Sequence, residues 1–278
     1  MGFDWLKNIL YGFFYGMTAI LPVSSRAHSI LLMELFGKKS DSNLMLLLIH
    51  LAILVALYYI CQTMIVRVSR ALSLARIPKK KRKRPLDTKS LMDFRLLRTM
   101  LIPVILGYLL YDKVSVLGEK LLWVSILLFV NGVILYVPQF LPGSNKDSRS
   151  LSRVDGLLMG LGGALSVLPG ISAIGASVSI GSVCGVDRKY ALNLALVMSI
   201  VISGCLVVFD ILRIISEGIG EISFVGVIVN VISAAAAFGG TLLGVKIIRS
   251  LVESTSFSVF SFYCWGLALF AFFLNLVA

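Results

Sequence analysis

Apolar stretches of bilayer-spanning length follow one another along nearly the whole of this 278-residue chain. A hydrocarbon core about 30 Å thick is crossed by about 20 apolar residues in a helix. Backbone at that depth must satisfy its own hydrogen bonds, so apolar runs of this length read as helices. Mean hydropathy is +0.94 and 58% of residues are hydrophobic, well outside the soluble range. Uninterrupted apolar segments are expected over 43–64, 119–138, 189–213, 222–246 and 256–277. A shorter one covers 97–111, with Pro103 and Gly107 inside it. Two further regions are pairs of short pieces: 3–21 with 25–37, broken at LPVSS, and 155–168 with 172–186, broken at LPGIS. The first stretch lacks the basic leader and small-residue cleavage site of a signal peptide, so it is read as part of the fold. The expected fold class is an all-α polytopic membrane protein, one membrane domain over 1–278.

The two broken regions resemble each other. A shift of 147 positions lays Gly16 on Gly163, Leu21 on Leu168, Pro22 on Pro169 and Ser25 on Ser172. Residues 1–138 and 155–278 then form two repeats of about five helices each, with two re-entrant helix pairs and about six transmembrane spans. An odd number of spans per repeat inverts one half relative to the other. Charge agrees with that arrangement. Net charge is +12, and much of it lies between 66 and 97, around KKKRKR at 79–84. A basic segment between two spans is read as a cytoplasmic loop meeting anionic lipids, and not as a nucleic-acid patch. Lys146, Arg149 and Arg153, then Arg188 and Lys189, then Lys246 and Arg249 fall on the same side. Balanced or acidic segments near 112–120 and 210–221 fall outside. The two breaks then point their tips at each other near the midplane, as broken helices do in inverted-repeat folds. A helix starting at Ser24 or Ser25 and another at Ser172 would aim free N–H groups and positive dipole ends at one place, which suits an anion. The four cysteines (61, 184, 205 and 264) lack metal-ligand spacing and read as small hydrophobes, and no metal site is expected.

Taken together, Gly16-Met17-Thr18, Leu21-Pro22-Val23-Ser24-Ser25 and His28 resemble the first motif of the undecaprenyl-diphosphate phosphatases, the bacitracin-resistance family. Ile102-Pro103 with Gly107 is similar to the family's fourth helix. Asp155, Gly160 and Leu168-Pro169-Gly170-Ile171-Ser172 are similar to the approach to its second motif. Asp187-Arg188 with Ala191, and Phe262-Tyr263 with Gly266, match later landmarks. The resemblance implies a bacterial plasma-membrane protein whose site opens outward. The implied activity removes the terminal phosphate of a long polyprenyl diphosphate, regenerating the monophosphate carrier lipid of cell-wall synthesis. If the site hydrolyses, Ser25 is the candidate nucleophile, His28 the base or acid and Arg26 the group that stabilises charge; the resemblance leaves Mg²⁺ or Ca²⁺ open, as the sequence does a homodimer.

Three family positions are changed. Two motif glutamates are replaced by Tyr15 and Ala19, and the second motif's phosphate-gripping arginine by Ala173, with Ile174 after it. Hydrolysis requires neutralisation of the phosphoryl charge and management of protons. Arg26, where the family has a small residue, maps onto Ala173 under the 147-residue shift, so the cation is expected to come from the other half. Arg26 could instead snorkel or cap a helix C-terminus. The headgroup residues are expected to be Arg26, Ser24, Ser25, His28, Gly170, Ser172 and Ser177. His50 reads as a packing residue, and Asp210 with Arg213 as a pair at the membrane surface. Two functions follow: a non-hydrolytic binder or flippase of a polyprenyl phosphate or diphosphate, or a phosphatase with a rearranged site.

Overall fold

The computed structural model describes residues 4–37, 42–141, 146, 149–219, 223–253 and 257–277. Eleven α-helices lie among them. The first half holds α1 (Asp4–Ile20), α2 (Ser25–Phe36), α3 (Asn43–Ala75), α4 (Thr88–Tyr108), the short α5 (Tyr111–Ser115) and α6 (Leu121–Tyr136). The second holds α7 (Arg153–Ala164), α8 (Ala173–Val183), α9 (Arg188–Glu217), α10 (Phe224–Glu253) and α11 (Phe257–Val277). Five helices are long and apolar enough to cross a membrane, and α4 with the segment after it, bent by 64°, makes a sixth. Side chains such as Phe129, Phe262, Phe273 and Leu276 stand exposed on them, as lipid-facing residues do. The chain is a multi-pass membrane protein.

The segment expected as a basic loop over 66–97 is mostly helix. Helix α3 runs on to Ala75 and α4 begins at Thr88. Hydropathy marks where apolar character stops, whereas Arg and Lys are good helix formers and carry both helices onward. Asp87 caps α4 by accepting from the Ser90 N–H at 3.0 Å. Arg82 closes the end of α3 by donating to the carbonyls of Ala75 and Ile77. Between the two extensions, Arg67 reaches the buried carboxylate of Asp93 at 3.0 Å.

Helix pairing has the same pattern in both halves. Helix α1 packs on α10 as α7 packs on α4, while α3 lies along α9 and α6 along α11. Glycines make the close approaches. A Cβ on Gly12 or Gly16 would run into the α10 backbone at Ser233 or Ala237, and one on Gly240 or Gly244 into the α1 backbone. In the other half Gly160 faces the backbone of Met100, and Gly156 faces Thr99. These pairs have the small-x-x-x-small spacing that lets helices approach closely in lipid. The register differs from the 147-residue shift: through packing, Gly16 corresponds to Gly160 rather than Gly163. The difference of three residues matches one extra 3-10 turn, Leu165–Val167, between α7 and its break.

Gly16→Val should lower the thermal unfolding temperature in detergent, at a cost of about 1–3 kcal/mol from overpacking. Gly204→Ala, with nothing within 4 Å of the added methyl, should be neutral or stabilising by up to about 1 kcal/mol.

Candidate functional site

Each short helix starts from a serine that satisfies an otherwise free N–H. Ser24 accepts from the Ala27 N–H at 3.4 Å, and Ser172 from the Gly175 N–H at 3.2 Å. The first cap is therefore Ser24 rather than Ser25. Ser24 has φ +65°, the one positive value at a non-glycine among the described residues. Such a conformation persists only where its surroundings hold it. His28 does so: its Nδ1–H donates to the Ser24 carbonyl at 2.8 Å, while Nε2 accepts from the Tyr263 hydroxyl at 2.7 Å.

The two breaks touch. Asn131, on α6 and fully buried, donates its amide to the Pro22 carbonyl at 3.0 Å. Its carbonyl accepts from the Ser172 N–H at 2.9 Å, and the Ser172 hydroxyl donates to the Leu21 carbonyl at 3.2 Å. Beside this junction lies a small cavity of about 60 Å³, lined by Ser24, Ser25, Ser172 and Arg26, together with Ala19 and Ala173. A space of this size, lined by hydroxyls and a guanidinium, is roomy enough to hold water. A wider vestibule of about 580 Å³ shares Tyr15, Arg26 and His50 with it. Glu34, Glu119, Asp210, Arg213 and Glu217 line the vestibule.

Arg26 faces the second half. It donates to the carbonyl of Val167 at 2.8 Å, and its guanidinium lies 4.6 Å from the centre of the Tyr111 ring. The same side chain thus caps the 3-10 turn and lines both spaces, in the cavity that also holds Ala173. Gly170 and Ser177 line neither space. Gly170 has φ +142° and abuts the α6 backbone at Leu127 and Leu128, so its role is backbone packing. Ser177 is fully buried within α8. His28 also lines neither space, so the expected Ser25–His28 partnership is not made: the imidazole stacks on Tyr263, with ring centres 5.7 Å apart.

A different histidine occupies the site. His50 Nε2 lies 2.8 Å from the Tyr15 hydroxyl, and Nδ1 lies 2.5 Å from Asp210 Oδ2. All three residues are buried. With Asp210 ionised, Nδ1 carries the proton and Nε2 accepts from Tyr15. Asp210 thus pairs with His50, not with Arg213 at the surface. A carboxylate from α9 is thus linked to Tyr15, which lines the chamber, through two hydrogen bonds. Sequence reasoning passed over this array and over Asn131. The available signal was an ionisable residue inside an apolar span, which marks a functional position in lipid.

A divalent cation, which the resemblance leaves open, does not fit these donors. The small chamber offers hydroxyls, one imidazole and a guanidinium. Among the described residues no group of three His, Cys, Asp or Glu side chains could hold a metal.

Replacing Asn131 with Leu should cost about 2–6 kcal/mol in thermal unfolding, because it takes the side-chain partner from two buried backbone groups at about 1–3 kcal/mol each. His50→Ala should cost about 3–5 kcal/mol by leaving Asp210 buried without its partner. The double variant His50→Ala/Asp210→Ala should be less destabilised than the single one.

Comparison with known proteins places this geometry. The family model described as bacitracin resistance protein BacA matches residues 8–270. A protein of Methanobrevibacter smithii named undecaprenyl-diphosphatase is 31% identical over 277 residues, covering 97% of each chain. Proteins of the same name are 32% identical in a Nocardioides species, over 71% of each chain, and 26% identical in Halothermothrix orenii, over 93% of each. With the paired breaks, the match across almost the whole chain shows that this protein belongs to the bacitracin-resistance BacA family.

Proposed function

We propose that this protein binds the phosphate end of a polyprenyl phosphate or diphosphate within lipid-carrier recycling, and does so without hydrolysing it. One observation carries this reading. The chamber at the breaks is lined by a cation, Arg26, and two capped helix starts and by no carboxylate; Tyr15 and Ala19 stand where the resemblance implies the family's glutamates. A headgroup would sit in the vestibule and place its terminal phosphate against Arg26 and Ser25. Both helix starts would add positive potential there. Ser25 has no His28 beside it to take its proton, which weighs against phosphoryl transfer.

The inverted arrangement of 1–138 and 155–278 belongs to the same proposal. Its support is the exchange of helix pairings between the halves. If the basic ends of α3 and α4 lie on the cytoplasmic side against anionic lipid, the vestibule opens outward, since Asn43 and Glu217 lie at its mouth. A site between inverted halves suits alternating exposure of the headgroup to the two faces.

The second reading is hydrolysis with a rearranged site. It is favoured by the Tyr15–His50–Asp210 array beside Ser25, an acid-backed imidazole able to move a proton, and by the names of the relatives.

Purified protein in detergent should release no phosphate from undecaprenyl diphosphate above buffer, with or without Mg²⁺. It should bind undecaprenyl monophosphate, and Arg26→Gln should weaken that binding about tenfold or more, the loss of one charge-assisted contact. Phosphate release that disappears in both Ser25→Ala and His50→Gln would establish the second reading instead.

A further inference from the structure

A second charged cavity lies at the far end of the α3–α9 pair. It is a groove of about 390 Å³ between α3, α9, the start of α4 and the end of α10. Arg67, Lys89 and Arg249 line it, and no carboxylate does. Arg67 is held in place from behind. The fully buried Asp93 binds it at 3.0 Å through one carboxylate oxygen and accepts from the Tyr190 hydroxyl at 2.6 Å through the other. Both oxygens of Asp93 are thereby engaged by two side chains of the groove wall, so its charge orients and offsets that of Arg67 and leaves Lys89 and Arg249 as the groove's net positive charge. Asn193 adds a hydrogen-bonding side chain to the lining. The remaining wall is apolar, with Ile60, Met64 and Val197 running from the cations toward the middle of the membrane.

We infer that this groove is a second headgroup site, for the phosphomonoester end of a membrane lipid, on the face opposite the vestibule. The wall chemistry selects the class. Lys89 and Arg249, with an Arg67 held in place by Asp93, over an apolar wall fit a phosphate at the end of a hydrocarbon chain. A monoester carries about −1.5 to −2 at neutral pH, whereas a phosphodiester headgroup linkage carries a single charge. The spacing supports the assignment of faces. His50 and Arg67 lie on the same helix, about 26 Å apart at 1.5 Å per residue, close to the hydrocarbon thickness. The inference rests on the reading above that the protein handles a polyprenyl phosphate, and it gives that lipid one receiving site at each face.

The test counts bound ligand. Protein in phosphatidylcholine nanodiscs would be titrated with farnesyl monophosphate and examined by native mass spectrometry. Two molecules per chain are expected. Lys89→Gln/Arg249→Gln, at exposed positions outside the vestibule, should weaken one of them at least tenfold and leave the other unchanged. Arg26→Gln should do the reverse. A count unchanged in the doubly substituted protein overturns the groove, while loss of one site in Arg26→Gln would leave the first reading standing. If instead only the groove binds, and Arg26→Gln changes nothing, the vestibule reading falls and the groove stands. Equal displacement from the groove by inorganic phosphate would make it a free-phosphate site. Equal displacement by phosphatidylglycerol would make it a general anionic-lipid contact. Either result overturns the assignment.

Discussion

The carboxamide of Asn131 is the contact on which the interior depends. Two chain breaks at membrane depth leave carbonyls and an N–H without helical partners, and lipid offers none. One buried side chain on α6 answers both at once, donating to Pro22 and accepting from the N–H of Ser172. The Ser172 hydroxyl then returns to Leu21, so the breaks hold each other. Gly175 allows the approach, because a Cβ there would press on Pro22. With the breaks joined, the starts of α2 and α8 converge on one small chamber. The glycine-lined contacts of α1 with α10 and of α7 with α4 supply the rigid frame on either side.

Within that frame the polar groups are divided between support and exposure. His28 stabilises the left-handed backbone of Ser24 and stacks on Tyr263, away from the chamber. Arg26 does both jobs, closing the end of the Leu165–Val167 turn while facing the space where a headgroup would lie. The Tyr15–His50–Asp210 array brings a proton-bearing chain to the chamber. A tyrosine hydroxyl is a far weaker acid than a glutamate and stays neutral, so the chamber gains hydrogen-bonding capacity without gaining negative charge. That favours holding an anion over placing a metal beside it.

Much of this was legible in the sequence, in unequal measure. The spans, the two breaks and their serine caps followed from apolar run length and from Pro, Gly and Ser at fixed places, and the family from the resemblance of motifs spread along the chain. The basic segment reads as loop because hydropathy falls where charged residues begin, although those residues continue a helix well. His50 and Asp210 are each bland in their own helix. They lie 160 positions apart, and nothing local in either helix indicates that they share a hydrogen bond.

The sequence by itself determined that this chain is helical, membrane-spanning and built around two chain breaks. Those properties depend on neighbours in the chain: apolar length, helix-stopping Pro and Gly, and capping hydroxyls. Tertiary structure alone decided which histidine enters the site, that Arg26 serves the opposite half, and that Asn131 joins the breaks. These choices depend on contacts between residues more than a hundred positions apart, or, for Tyr15 with His50 and Asn131 with Ser172, on how separate helices cross. Helix rotation and the extra 3-10 turn before the second break set those contacts, and neither leaves a local pattern.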